Sequence, residues 1–99
     1  MAPERGPGLR CYLVEGYWPG LGELGGEEAA DTARLAASRM REDDGELRYL
    51  GVLLIPGDEV AFCLFLARSE AAMEGAARRA GLPVDRVVEV VERLETQHA

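Results

Sequence analysis

The sequence predicts one α+β domain in which two strand–helix–strand units are joined by a hairpin. Three observations carry this reading. Residues 60–67, Val-Ala-Phe-Cys-Leu-Phe-Leu-Ala, are apolar at every position, as in a strand with cover on both sides. Two alanine-rich segments, one on each side of that run, repeat their apolar residues with the helical period. Pro56-Gly57-Asp58-Glu59 supplies turn chemistry between two strand-like runs.

Each element follows from its own residues. Residues 1–9 combine proline, glycine and charge, and are expected to form a mobile tail ahead of a domain over 10–94. Residues 10–17 predict the first strand. Side chains alternate along it, so Tyr12 and Val14 share one face while Cys11, Leu13, Glu15 and Tyr17 share the other. Trp18-Pro19-Gly20 ends it. The glycine-rich stretch 21–26 lacks both the GxGxxG spacing and the Walker lysine, which excludes the familiar phosphate-binding loops. Residues 27–42 predict the first helix, with Ala29, Ala33, Ala36, Ala37 and Met40 as its apolar stripe. Glu27, Glu28 and Asp31 sit near its start and Arg39 and Arg41 near its end, as the helix dipole favours.

Asp43-Asp44-Gly45 turns the chain into a second strand over 47–55. In the third strand, 60–67, Val60, Phe62, Leu64 and Leu66 face one way and Ala61, Cys63 and Phe65 the other. Ser69 is the expected N-cap of a second helix whose stripe is Ala72, Met73, Ala76, Ala77 and Ala80. Gly81 and Leu82 predict a Schellman stop, and Pro83 prevents continuation. The valine-rich stretch 84–93 predicts the fourth strand, and 95–99 a frayed end. Val87 and Val91 would share a face with Asp85, Glu89 and Arg93.

The resulting order, βαββαβ, is that of the ferredoxin-like split βαβ arrangement. Both helices then cover one face of a four-stranded antiparallel sheet, and the other face stays open. A third strand apolar on both sides conflicts with an open face. A homodimer packed sheet to sheet, a dimeric α/β barrel, removes the conflict.

Composition narrows the partners. The 99 residues carry 18 acids against 11 bases, a formal charge of −7. That balance argues against nucleic acid and against an anionic membrane surface. No apolar run approaches the roughly 20 residues that span a bilayer, and the first ten residues contain no hydrophobic signal core. A cytoplasmic location is the resulting expectation. Cys11 and Cys63 form no CxxC pair and read most simply as small buried hydrophobes.

Four stretches bear a resemblance. They are Tyr12-Leu13-Val14-Glu15 with Tyr17 and Pro19-Gly20, then Arg48-Tyr49-Leu50-Gly51, then Asp58-Glu59 with Phe62-Cys63-Leu64-Phe65, and finally Ala80-Gly81-Leu82-Pro83 with Asp85-Arg86 and Val88-Glu89. Together they resemble a short bacterial ferredoxin-like family of unsettled activity that includes a nickel-binding protein. The resemblance implies a ferredoxin-like homodimer with a site for a small ligand or a divalent transition metal such as Ni(II). The chain departs from the family's pattern at Leu66, where an acidic residue often stands, and its one histidine is His98.

The candidate chemistry centres on Glu15, which interrupts an otherwise apolar strand. It can serve as an acid/base group or ligand on the open face, or as the partner of Arg86 or Arg48 in an ion pair. Tyr17 shares its face and is the second candidate for catalysis. Tyr12, Tyr49 and Phe65 can form an aromatic ligand wall, with Arg86 as a polar contact, and Trp18 suits a rim or interface anchor. Cys63 is a candidate metal ligand or nucleophile, although no histidine lies near it in sequence to activate it. Glu89 is the other candidate metal ligand, and it could converge with Glu15 because the fourth strand neighbours the first in this fold. No Ser-His-Asp set, HExxH, EF-hand loop or dinucleotide fingerprint is present. The leading reading is a homodimeric ligand-binding protein. The alternatives are a cofactor-independent cyclase or isomerase of bacterial specialised metabolism with Glu15 as its base, and a purely structural dimer.

Overall fold

The computed structural model describes residues 8–23, 25–91 and 93. Most of the two terminal segments, and His98 with them, lie outside those residues. The chain runs β1 (Arg10–Tyr17), α1 (Gly26–Asp43), β2 (Arg48–Ile55), β3 (Val60–Ala67), α2 (Glu70–Arg79) and β4 (Arg86–Glu89). One-turn 3-10 segments at Leu21–Glu23 and Pro56–Asp58 mark the two loops on the same side of the sheet. The sheet order is β2-β3-β1-β4 and every neighbouring pair is antiparallel. This is the predicted ferredoxin-like α+β fold.

The two helices lie on one face because their apolar stripes must be buried there. In α1 the buried residues are Ala29, Ala33, Ala36, Ala37 and Met40, the stripe expected from the helical period. In α2 they are Met73, Ala76 and Ala77, with Ala80 closing the same row. Alanine adds little bulk, so both helices approach the sheet closely and the large side chains under them come from the strands. Phe65, Tyr12 and Val14 supply that bulk, together with Leu21 and Leu47 from the loops.

Local chemistry sets the ends of α2. Ser69 Oγ accepts the Ala72 amide at 3.1 Å. At the other end Gly81 adopts φ +83°, its amide bonds to the Arg78 carbonyl at 3.1 Å, and Leu82 bonds back to Ala77 at 3.0 Å. That is the Schellman pair of bonds, and only glycine takes its left-handed position without strain.

The fourth strand is shorter than predicted, 86–89 rather than 84–93. Its entry is held by Asp85, whose amide bonds to the Glu15 carbonyl at 2.7 Å while its Oδ2 accepts the Tyr17 amide at 2.8 Å. After a last bond from Val90 to Cys11 the regular pairing stops. Val91, expected within the strand on the face of Val87, lies past its end and is 76% exposed.

Two further features position the loops. Glu59 adopts a left-handed conformation with φ 56° at the end of the β2–β3 hairpin. Its carbonyl accepts the Trp18 amide at 2.7 Å, and its carboxylate accepts the Gly20 amide at 2.6 Å and the Tyr17 hydroxyl at 3.3 Å. The segment leaving β1 is thereby tied to the hairpin. Gly16 lies under the chain that follows α2, where a Cβ would fall 2.1 Å from the Pro83 carbonyl oxygen. The Pro83 oxygen and its carbonyl carbon, 2.7 Å from that Cβ, are backbone atoms, so no rotamer change relieves the contact. Gly16→Ala is accordingly expected to cost about 2 kcal/mol or more, measured as a lowered urea midpoint. A variant with an unchanged midpoint would contradict this packing.

Candidate functional site

Strand alternation and register together place each candidate side chain. On the helix-covered face, residues paired across the sheet form the row Tyr49–Phe65–Tyr12–Glu89, and beside it Val52–Cys63–Val14–Val87. On the open face the corresponding rows are Leu53–Phe62–Glu15–Arg86, then Gly51–Leu64–Leu13–Val88, then Ile55–Val60–Tyr17. The sheet thus divides the candidate residues between two environments. Glu15, Tyr17 and Arg86 share the open face. Tyr12, Tyr49, Phe65, Cys63 and Glu89 lie on the other side.

This corrects three expectations. Glu15 and Glu89 do not converge: Glu89 pairs with Tyr12, three positions from Glu15, and an odd offset along a strand reverses the face. Glu89 instead stands 3.5 Å from Arg10 in an exposed ion pair. Cys63, expected as a metal ligand or nucleophile, is 1% exposed beneath the helices. Tyr12 and Phe65 are buried in the same core, and Tyr49 packs on Phe65 with ring centroids 5.5 Å apart and a tilt of 55°. These three aromatics build core rather than a wall open to solvent.

The open face is apolar with one charged row across it. Glu15 Oε1 accepts a hydrogen bond from Arg86 Nε at 2.7 Å. The Glu15 side chain is flanked by Phe62 and keeps 28% of its surface exposed, whereas Arg86 keeps 65%. Around the pair, Leu13, Phe62, Leu64 and Val88 are half-buried, and Leu53, Ile55 and Tyr17 are 61%, 43% and 51% exposed. At the opposite end of the same face Cys11 and Leu66 are buried within one protomer.

A nickel centre was tested against the donors present. Among the described residues no three His, Cys, Asp or Glu side chains come close enough to hold a metal ion. Ni(II) favours imidazole and thiolate donors. Burial pushes the Cys63 thiol up from 9.0 to about 12, so it stays protonated at neutral pH and is a poor ligand or nucleophile there. Burial also raises the neighbouring Tyr49 hydroxyl, reinforced by Cys63 and opposed by Arg34. The described residues of a single protomer do not fit a resident nickel ion.

The Cys63 shift has a consequence for stability. The folded chain keeps a proton that the unfolded chain releases above its ordinary value, so stability is complete below that value and is lost as pH rises from 9.0 toward about 12. For one such group the limiting slope is about 1.4 kcal/mol per pH unit. Denaturant titrations over this range should show a shallower decline for Cys63→Ala than for the parent chain. Equal slopes would mean that Cys63 does not titrate differently in the two states.

The geometry can be set beside known proteins. The crystal structure of SCO4226 from Streptomyces coelicolor A3(2) is similar to this chain with a TM-score of 0.67 over 85% of this chain and 99% of that one, at 14% sequence identity. At that identity the likeness establishes the fold. No curated protein shows significant sequence similarity. Residues 12–90, from the middle of β1 to just past β4, match a family described as "Nickel responsive protein SCO4226-like". That span contains both helices and all of the sheet except the first two residues of β1, and on it the chain belongs to the SCO4226-like family.

Proposed function

We propose that the chain is a homodimeric binding protein that holds a small ligand against the open face of its sheet. One observation carries this reading: the Leu53–Phe62–Glu15–Arg86 row places a carboxylate and a guanidinium in the middle of an apolar surface that one protomer leaves partly exposed. Apolar surface of this kind favours association. Two such faces brought together would leave the charged rows as the polar contacts of an otherwise greasy enclosure. Because Glu15 is already engaged by Arg86 at 2.7 Å, the pair suits recognition of a polar group better than proton abstraction. The candidate lining residues are Glu15, Tyr17 and Arg86.

Nickel responsiveness is in the family's description, and it enters this reading in a restricted form. A divalent ion would have to draw donors from two copies, since one copy's described residues do not group three of them.

Two measurements test the proposal. Light scattering should give the dimer mass for the parent chain and the monomer mass for Leu53→Asp, which alters an exposed side chain and should leave the circular dichroism unchanged. A parent chain that stays monomeric at working concentration overturns the reading. Calorimetric titration of the untagged protein with Ni(II) should show binding tighter than about millimolar that weakens in Glu15→Gln. Absence of such binding removes the metal and leaves an organic ligand.

A further inference from the structure

A concave site lies on the helix side of the molecule, between the middle of α1 and the C-terminal end of α2. It is a hollow of about 330 Å³. On the α1 side it is lined by Thr32, Leu35, Ala36 and Arg39. These residues are spaced i, i+3, i+4 and i+7, so one helix face presents all four. The far wall is the Schellman turn, Ala80-Gly81-Leu82-Pro83, and the closed end is Trp18-Pro19.

The hollow exists because small residues meet where two helices would otherwise be bridged by a larger side chain. Ala36 and Ala80 line it and Gly81 contributes no side chain. The turn is held by its own hydrogen bonds, and Trp18 is fixed by the hydrogen bond its amide donates to the Glu59 carbonyl, so the walls are preformed. Trp18, Ala36 and Leu82 are 5–6% exposed and form the floor, whereas Leu35 stands at the rim 56% exposed. At roughly 30 Å³ per water in the liquid, the volume suits a single ring with a short chain.

Charge selects the ligand class. Arg10, Arg34, Arg68, Arg78, Arg79 and Arg86 each pair with a carboxylate. Arg39, one turn beyond Leu35 on the rim, has no such partner among the described residues. Arg41, Arg48 and Arg93 also lack a carboxylate partner among the described residues, but of these four Arg39 is the one that lines the hollow, so its charge is available to a ligand there. Guanidinium is also the side chain whose paired N–H groups best match a carboxylate.

We propose that this hollow binds a small apolar monocarboxylate, its ring or acyl chain resting on Trp18, Ala36 and Leu82 and its carboxylate meeting Arg39. The site is separate from the open face and does not depend on the function proposed there.

The chain's single tryptophan lines the hollow, so its emission reports on occupancy directly. 3-Phenylpropanoate is a suitable probe and 3-phenylpropanamide its uncharged counterpart. The expected result is a saturable change in Trp18 emission with the acid. The amide should bind about tenfold more weakly, and Arg39→Gln should weaken the acid by a similar factor. Amide chemical shifts should move at Ala36 and Leu82 and not at Leu13 or Glu15. Arg39 is exposed, so its replacement should leave the fold intact, and an unchanged spectrum elsewhere verifies this. No saturable response up to about 10 mM acid, equal binding of acid and amide, indifference to Arg39→Gln, or shifts confined to the open face would each overturn the proposal.

Discussion

The central strand β3 is apolar on both sides, and the chain has only enough helix to cover one of them. Ala61, Cys63 and Phe65 disappear beneath α1 and α2, while Val60, Phe62 and Leu64 remain half-buried on the reverse. This imbalance shapes the rest of the molecule. It places the charged row Glu15–Arg86 in apolar company. It also leaves the open face as the part of the domain whose surroundings are incomplete.

Close packing of the helices is achieved by subtraction. Alanine stripes allow short helix-to-sheet distances, so a modest set of aromatics and aliphatics from the strands fills the space. The same economy has a cost where the middle of α1 passes the end of α2. Where Ala36, Ala80 and Gly81 meet, nothing large is available to close the gap, and a hollow remains beside Trp18. A compact core and a preformed cavity thus arise from one compositional habit.

Much of this was legible in the chain. The stripe Ala29 to Met40 follows from helical period alone, and every residue in it is buried. Ser69 and the Gly81–Leu82 stop were readable because capping depends on local chemistry, and their hydrogen bonds are those the motifs require. The strands β1 and β3 were also readable. The candidate site was less so. Alternation tells which residues share a face of a strand, so grouping Cys63 with Phe65 was sound. It does not tell which face the helices cover. The pairing of Glu15 with Glu89 failed for a different reason. Strand adjacency was inferred without the register, and the Asp85 anchor sets Glu15 against Arg86 and Glu89 against Tyr12. The hollow at Trp18 had no sequence signal because it is made of missing atoms and depends on where α2 ends against the middle of α1.

One irregularity lies at the margin of the sheet. β2 is an edge strand, and its pairing with β3 slips between Tyr49 and Gly51. An extra residue at that point interrupts the outward row of amide and carbonyl groups and increases the local twist. A foreign strand approaching from that side meets no continuous template to lengthen against, which is how natural sheets discourage fibril-like stacking. The opposite border, β4, is only four residues long and offers little more. Both rims of the sheet are thus poor templates for strand addition, so ribbon-like growth from either edge is disfavoured.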